Sequence, residues 1–192
     1  PYRRQRQMCI RDRDGQFPLP GQYSHACELI EDIKKMGDFC IGAACYPEGH
    51  METENLVTDV LNLKKKIEAG AEHLISQLFF DNSYFYSFLE RTQIAGIDVP
   101  IEAGIMPVTS KSQIERMVTM CGASIPASLS RIMQRYESNP EALRDAGIAY
   151  AINQIIDLAA NGVDGVHIYT MNNPYVARKI TEGVESVVKH NR

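Results

Sequence analysis

The 192 residues, 44% hydrophobic and 23% charged, fall in the ordinary globular range and suffice for one core. A net charge of -4 argues against a general nucleic-acid binder, which would show a basic face, and points to small molecules as partners. Five cysteines (Cys9, Cys27, Cys40, Cys45, Cys121) without a CxxC pair fit reduced thiols, no apolar run approaches the ~20 residues that span a bilayer, and no signal-peptide core follows Pro1. A cytoplasmic protein with no membrane partner is the expectation.

Residues 1–15 stand apart from the rest. Pro1-Tyr2-Arg3-Arg4-Gln5-Arg6-Gln7 and Arg11-Asp12-Arg13-Asp14 carry dense charge with almost no apolar periodicity. A basic tail for anionic surfaces is one reading. The preferred one is a foreign remnant joined to a shortened gene, which leaves 16–192 as the domain.

From Tyr23 onward helix and strand patterns alternate. Helices are expected at 24–36, 54–69, 83–95, 111–120, 127–136, 140–160 and 175–189, and short apolar strands at 39–45, 73–80, 101–108 and 165–169. Gly70, Gly96 and Gly162 each fall where a helix must stop before the next strand. This order means a parallel sheet with crossover helices, an α/β fold. Four strands could be half a Rossmann-like sheet, but no GxGxxG follows any of them. A complete (β/α)8 barrel needs eight strands and typically ~250 residues.

Polar residues cluster where strands end. The string Ala43-Ala44-Cys45-Tyr46-Pro47-Glu48-Gly49-His50 is an apolar strand that runs into polar residues and feeds a helix. At 100° per residue, Val57, Val60, Leu61, Leu63 and Ile67 cover one broad side of that helix, and Asp59, Asn62 and Lys66 form a narrow polar stripe with Lys65 beside it. By pattern alone such a stripe is a solvated face. Gln77 lies in an apolar strand, where an unpaired amide would cost about 1–3 kcal/mol, so a core glutamine satisfied by backbone competes with a ligand-binding one. Cys40 and Cys45 read as small apolar fillers that form no metal-ligand spacing with His50, and no metal site is expected. His167 reads as structural, Glu102 and Asp81 could pass for an acid pair at unknown distance, and Arg131 and Arg135 resemble a solvated face.

Tyr46-Pro47-Glu48-Gly49-His50, Asp59, Asn62, Lys65, Lys66 and Gln77-Leu78-Phe79-Phe80-Asp81 together resemble the methylenetetrahydrofolate reductase family, from about His25 to about Val188. The resemblance implies the C-terminal half of a (β/α)8 TIM barrel, with FAD as cofactor and NAD(P)H as co-substrate. It implies that Tyr46, His50, Met51, Glu52, Thr53, Asp59, Asn62, Lys65 and Lys66 bind FAD. Met51 replaces the family's usual Pro and Thr53 a common Ala, both tolerable where backbone makes the contact. His25-Ala26 aligns with a Tyr-Ala pair of the FAD site, with Tyr23 two residues early as the rival aromatic. Gln77 and Gln113 match folate-contacting positions, and Asn173 stands where family members often carry an Arg that reaches the folate.

The implied reaction reduces 5,10-methylenetetrahydrofolate to 5-methyltetrahydrofolate. The family's general acid, a Glu on the first strand, and its Arg-Gly-Asp loop after the fourth lie outside the matched residues, so this chain alone is expected to be inactive. Gln16-Phe17-Pro18-Leu19-Pro20-Gly21 continues a family loop, which favours truncation over a dedicated binding module completed by a partner. Another TIM-barrel enzyme would have to share both strings by chance. Open strand edges are expected to make the chain aggregate or dimerise, giving a homo-oligomer.

Overall fold

The computed structural model describes residues 23–190. The expectations for the N-terminal remnant, for Cys9 and for the loop Gln16-Phe17-Pro18-Leu19-Pro20-Gly21 lie outside the described residues. In chain order the elements are α1 (Ala26–Met36), β1 (Gly42–Cys45), α2 (Leu56–Glu68), β2 (His73–Ser76), α3 (Asn82–Ile94), β3 (Ile101–Ile105), α4 (Lys111–Cys121), α5 (Ala127–Tyr136), α6 (Pro140–Ala160), β4 (Gly165–Ile168) and α7 (Pro174–His190). The strands pair in parallel in the order β1-β2-β3-β4, so each crossover leads to the adjacent strand. The alternating pattern had this architecture in it.

Strand ends differ from the sequence expectation. The ladder of β2 stops at Ser76 and that of β3 at Ile105, whereas the apolar runs continue to Phe80 and Val108. The continuations are apolar for another reason. Leu78, Phe80, Met106 and Val108 leave the sheet and build a second core with Ile114 of α4, Leu129 and Met133 of α5 and Leu143 of α6. At the other end, Phe39 and Cys40 are exposed and β1 begins only at Gly42.

The main core lies on one face of the sheet. Ala43, Cys45, Leu74, Ile101, Ala103 and Ile105 point into it, against Ile30 of α1, Val60 and Leu63 of α2, Phe85 and Phe88 of α3, Ile148 and Ile155 of α6 and Ile180 of α7. Phe79 stacks on Phe85 with centroids 5.0 Å apart. Each such fully buried side chain contributes about 1.5–3 kcal/mol over leaving it in water. By strand alternation the opposite face carries Gly42, Ala44, His73, Ile75, Glu102, Gly104, Gly165 and His167. Gly42 and Ala44 are exposed there, and His73, Ile75, Glu102 and His167 only half-covered.

Two close approaches fix how the helices sit. A Cβ on Gly147 would lie 1.8 Å from the Val108 carbonyl oxygen, so α6 crosses the β3 exit at backbone contact. The same helix is fastened to the β2–α3 connection by polar bonds. Tyr150 donates to Phe80 O (2.7 Å), Gln154 Nε2 to Phe79 O (3.3 Å), and Asn82 Nδ2 to Gln154 O (3.1 Å) and Asp157 Oδ2 (2.7 Å).

Candidate functional site

The C-terminal ends of the strands carry the polar residues. After Cys45 the chain turns through Tyr46-Pro47-Glu48-Gly49, closed by Gly49 N–H on Tyr46 O at 3.0 Å. His50 then sets its ring edge-on to Tyr46, with centroids 4.6 Å apart and planes at 83°. The His50 carbonyl accepts from Thr53 N–H (2.9 Å) and Thr53 Oγ1 (2.7 Å), and the Glu52 N–H donates to His50 Nδ1 (3.2 Å).

Helix α2 presents its polar stripe to this loop. Asp59 is only 7% exposed, whereas Val57 and Leu61, expected on the apolar side, are 69% and 53% exposed. The solvated-stripe reading is therefore corrected: the helix turns Asp59 inward because His50 N–H donates to its Oδ1 at 3.3 Å. The two lysines also part company. Lys66 Nζ donates to Ala44 O at 2.9 Å and lies 5.5 Å from the Tyr46 ring centroid. Burial holds its pKa below the usual lysine range, opposed mainly by the Asp59 carboxylate. Lys65 is exposed and donates to Asn62 Oδ1 at 3.1 Å.

A residue the sequence reading missed completes this corner. Arg91 of α3 donates from Nη2 to Pro47 O at 2.8 Å, and burial lowers its pKa. The signal was present: Arg91 follows Phe88 by three positions on the face of α3 that buries Phe85, Phe88 and Thr92. On the other flank Glu48 accepts from Ser124 N–H through both carboxylate oxygens, at 3.1 and 3.0 Å.

Gln77 lies next to this loop, one residue past β2, where its N–H donates to Cys45 O at 2.7 Å. Its side-chain oxygen accepts from Leu78 N–H (2.9 Å), and its NH2 has no hydrogen-bond partner among the described residues. At the far edge Tyr169 donates to Ser76 O at 2.9 Å, its ring lying over Gly104. Burial pushes its phenol up to about 12.

Other expected residues sit elsewhere or are otherwise engaged. The hydrogen bonds of His25 run to Glu28 and that of Tyr23 to Asp32, all within or at the start of α1, where Ala26 is the first helical residue. Gln113 accepts from Thr109 Oγ1 at 3.1 Å inside the first turn of α4. A cavity of about 390 Å³ opens beside it between Thr109, Lys111, Glu115, Glu137 and Leu143, away from Tyr46. Asn173 caps α7, its Oδ1 accepting from Tyr175 N–H (3.1 Å) and Val176 N–H (3.3 Å). Just before it Met171 and Asn172 take left-handed φ of 51° and 60°. Exposed Arg178 lies 4.0 Å from Glu182. Asp81 caps α3 through Ser83 N–H (2.9 Å), and Glu102 lies 3.8 Å from His167, so the two acids serve separate partners. Burial drives the Cys45 thiol up to about 12, consistent with an inert filler.

The chain matches the methylenetetrahydrofolate reductase family over residues 10–185. It is 36% identical over 148 residues to 5,10-methylenetetrahydrofolate reductase of Escherichia coli, covering 77% of this chain and 50% of that protein. It is 38% identical over 167 residues to methylenetetrahydrofolate reductase 2 of Saccharomyces cerevisiae, covering 84% of this chain and 28% of the relative. The chain thus spans about half the length of its bacterial relatives. Among solved structures, an uncharacterized protein from Clostridium thermocellum that binds two copies of 5-methyl-5,6,7,8-tetrahydrofolic acid shares the fold with a TM-score of 0.61 at 18% identity, over 83% of this chain and 58% of that one. Among the described residues no helix is long and apolar enough to cross a membrane.

Proposed function

The chain belongs to the methylenetetrahydrofolate reductase family, and from that premise we propose that it forms the FAD- and folate-holding half of a (β/α)8 barrel. The parent activity is NAD(P)H-dependent reduction of 5,10-methylenetetrahydrofolate. The observation that carries the reading is the convergence of Tyr46, His50, Asp59 and Lys66 at one strand end, with Gln77 hydrogen-bonded to the residue before Tyr46. The one-sided sheet supports the half-barrel: its second face, bearing exposed Gly42 and Ala44, is the surface that further strands would cover.

The donor set fits a flavin nucleotide. It offers an exposed ammonium beside an amide, a buried carboxylate and a paired aromatic and imidazole within one loop and the helix that follows it. Lys65 offsets pyrophosphate charge, Asp59 and Asn62 bond ribose hydroxyls, and Tyr46 packs its ring on an aromatic ring system. Met51, Glu52 and Thr53 line the loop with backbone, and His25 or Tyr23 with Ala26 closes it from α1. When bound, FAD supplies the hydride relay between nicotinamide and the folate's exocyclic carbon. The NH2 of Gln77 donates to the pterin, and to the nicotinamide amide in the other half-reaction. The resemblance assigns Gln113 and Asn173 to the rest of the folate, which they could meet only on leaving Thr109 and the α7 cap. The Clostridium thermocellum neighbour supports a folate as the ligand class. The resemblance places the general acid on a strand outside the matched residues, and the residues of these strands bind and orient.

Visible spectroscopy tests the reading. Alone, the chain is expected to bind FAD weakly enough that binding is seen on titration but lost on purification, and to show no NAD(P)H-dependent bleaching. Fused to the N-terminal half of the Escherichia coli relative, it is expected to retain FAD and reduce the folate. A folded fusion without flavin would sink the proposal and leave a non-catalytic half-barrel module.

A further inference from the structure

Building on the flavin reading of the 46–53 loop, we propose that Arg91 is a positioning residue that clamps this loop from beneath and holds it in the shape that receives the nucleotide. Three side chains from two helices grip successive points of the chain from the end of β1 into the loop. Lys66 holds Ala44 O, Arg91 holds Pro47 O across 44 positions of sequence, and Asp59 accepts His50 N–H. Their charges alternate, with the Asp59 carboxylate acting on both Lys66 and Arg91.

The arrangement is not one that stability alone would select. Arg91 belongs to the apolar face of α3, and its Nε is buried without a hydrogen-bond partner. An unfilled buried donor is destabilising, and a fully apolar residue at this position would pack against Phe88 without that penalty. What the guanidinium contributes instead is a charge-assisted bond to a loop carbonyl and a counter-charge for a carboxylate that is itself buried. Its fork reaches Pro47 O with one nitrogen and keeps the rest of the cation near Asp59. A lysine has one point of charge and no fork, so it replaces the function in part. With the carbonyl of Pro47 fixed, the turn that follows sets His50 against Tyr46.

Two measurements on the full 192-residue chain test the assignment, using Arg91→Gln and Arg91→Lys. Residue-resolved amide exchange is expected to accelerate about tenfold at His50 and Thr53 in Arg91→Gln, stay unchanged at Leu74 and Gly104, and fall between in Arg91→Lys. Titration with FAD, followed by flavin fluorescence, is expected to weaken about tenfold in Arg91→Gln with partial recovery in Arg91→Lys. Wild-type exchange in the loop overturns the clamp, as does acceleration spread evenly into the sheet. A loosened loop with undiminished FAD affinity also overturns it, because Arg91 would then be merely structural. If wild type and variants alike ignore FAD while the loop loosens as expected, the clamp stands and the flavin reading fails. Should Arg91→Gln not fold, Arg91→Lys against wild type decides the same points.

Discussion

The loop after β1 and the turn after β4 lie at the same end of the sheet and are held differently. The first adds to its own bonds, Gly49 N–H on Tyr46 O and Thr53 N–H on His50 O, an outer grip from Asp59 of α2, Arg91 of α3 and the Ser124 N–H, with Lys66 holding the strand that enters it. The second is held mostly from within: Thr170 N–H donates to Ile168 O, Asn173 N–H to Thr170 O, and Asn173 caps its own helix. Tyr169 reaches out, its OH to Ser76 O and its N–H to Ile105 O. A loop braced by its neighbours keeps its shape only while those neighbours stay in place. A self-closed turn depends on its own residues, and the left-handed Met171 and Asn172 show that it stores backbone strain to do so.

The largest expected effect falls where Tyr169 meets the sheet. Gly104→Ala would put a Cβ 2.1 Å from Ser76 O and 2.8 Å from the Tyr169 ring. Overpacking against backbone is expected to cost roughly 3 kcal/mol in urea unfolding and to displace Tyr169 from Ser76. The His50 amide should meanwhile keep its exchange rate. Equal loss of protection at both loops would show that they form one unit.

Next comes the lysine pair that brackets the first loop. Lys66→Ala removes a charge-assisted bond to Ala44 O and is expected to cost about 1–2 kcal/mol, whereas Lys65→Ala should stay within about 0.5 kcal/mol. Flavin titration should nonetheless weaken with either. Equal stability losses would restore the reading of the pair as one solvated stripe.

How far the sequence carried can be seen in these residues. Parallel pairing and the crossover helices followed from alternation and glycine punctuation, because a strand and an amphipathic helix have distinct periods, whereas the pattern left the order of the strands open. Asp59, Lys66 and Gln77 were found through a family string, and geometry has brought them together. The inward turn of α2 was not legible, since a 100° wheel shows which residues share a side but not which side meets the protein. Nor was the end of β2: Phe79 and Phe80 are as apolar as a strand requires, yet they fill cores beneath helices. Arg91 showed its place on the buried face of α3 but not its role, because its partner is a backbone carbonyl, which every residue has.

The turn after β4 yields a smaller effect and a correction to its reading. Asn173→Ala removes the cap of α7 and is expected to cost about 1 kcal/mol, with Asn173→Asp nearly neutral. Asn173→Arg loses the same cap. A gain in folate affinity from the guanidinium has therefore to be sought at a temperature where that loss leaves the turn folded. If Asn173→Ala and wild type unfold at the same urea concentration, the cap is not what holds the turn.

The smallest effect belongs to a region that should ignore both loops, the polar seam where α3 meets α6. Asp157 Oδ2 accepts from Asn82 Nδ2 (2.7 Å) and Tyr86 OH (2.6 Å), and Asn161 Nδ2 donates to Tyr86 OH (3.0 Å). The Asn82 bond first, and the Tyr86 bond second, hold the Asp157 carboxyl below its ordinary range. A depressed carboxylate contributes stability in full above its unfolded value of about 3.9, and that contribution fades as pH falls through the folded value. Tyr86 works from the other end. Burial first, then Asp157, raises its phenol to about 12, so its contribution is complete below the unfolded value of about 10 and is lost as pH rises through 12. The seam is therefore strongest between these limits. In urea unfolding the gap between wild type and Asp157→Asn should narrow only on the acid side, and the gap to Tyr86→Phe only on the alkaline side, with loop exchange at His50 unchanged in both. A gap that stays constant across the whole pH range would mean that the seam is held by packing, and that its hydrogen bonds merely accompany the contact.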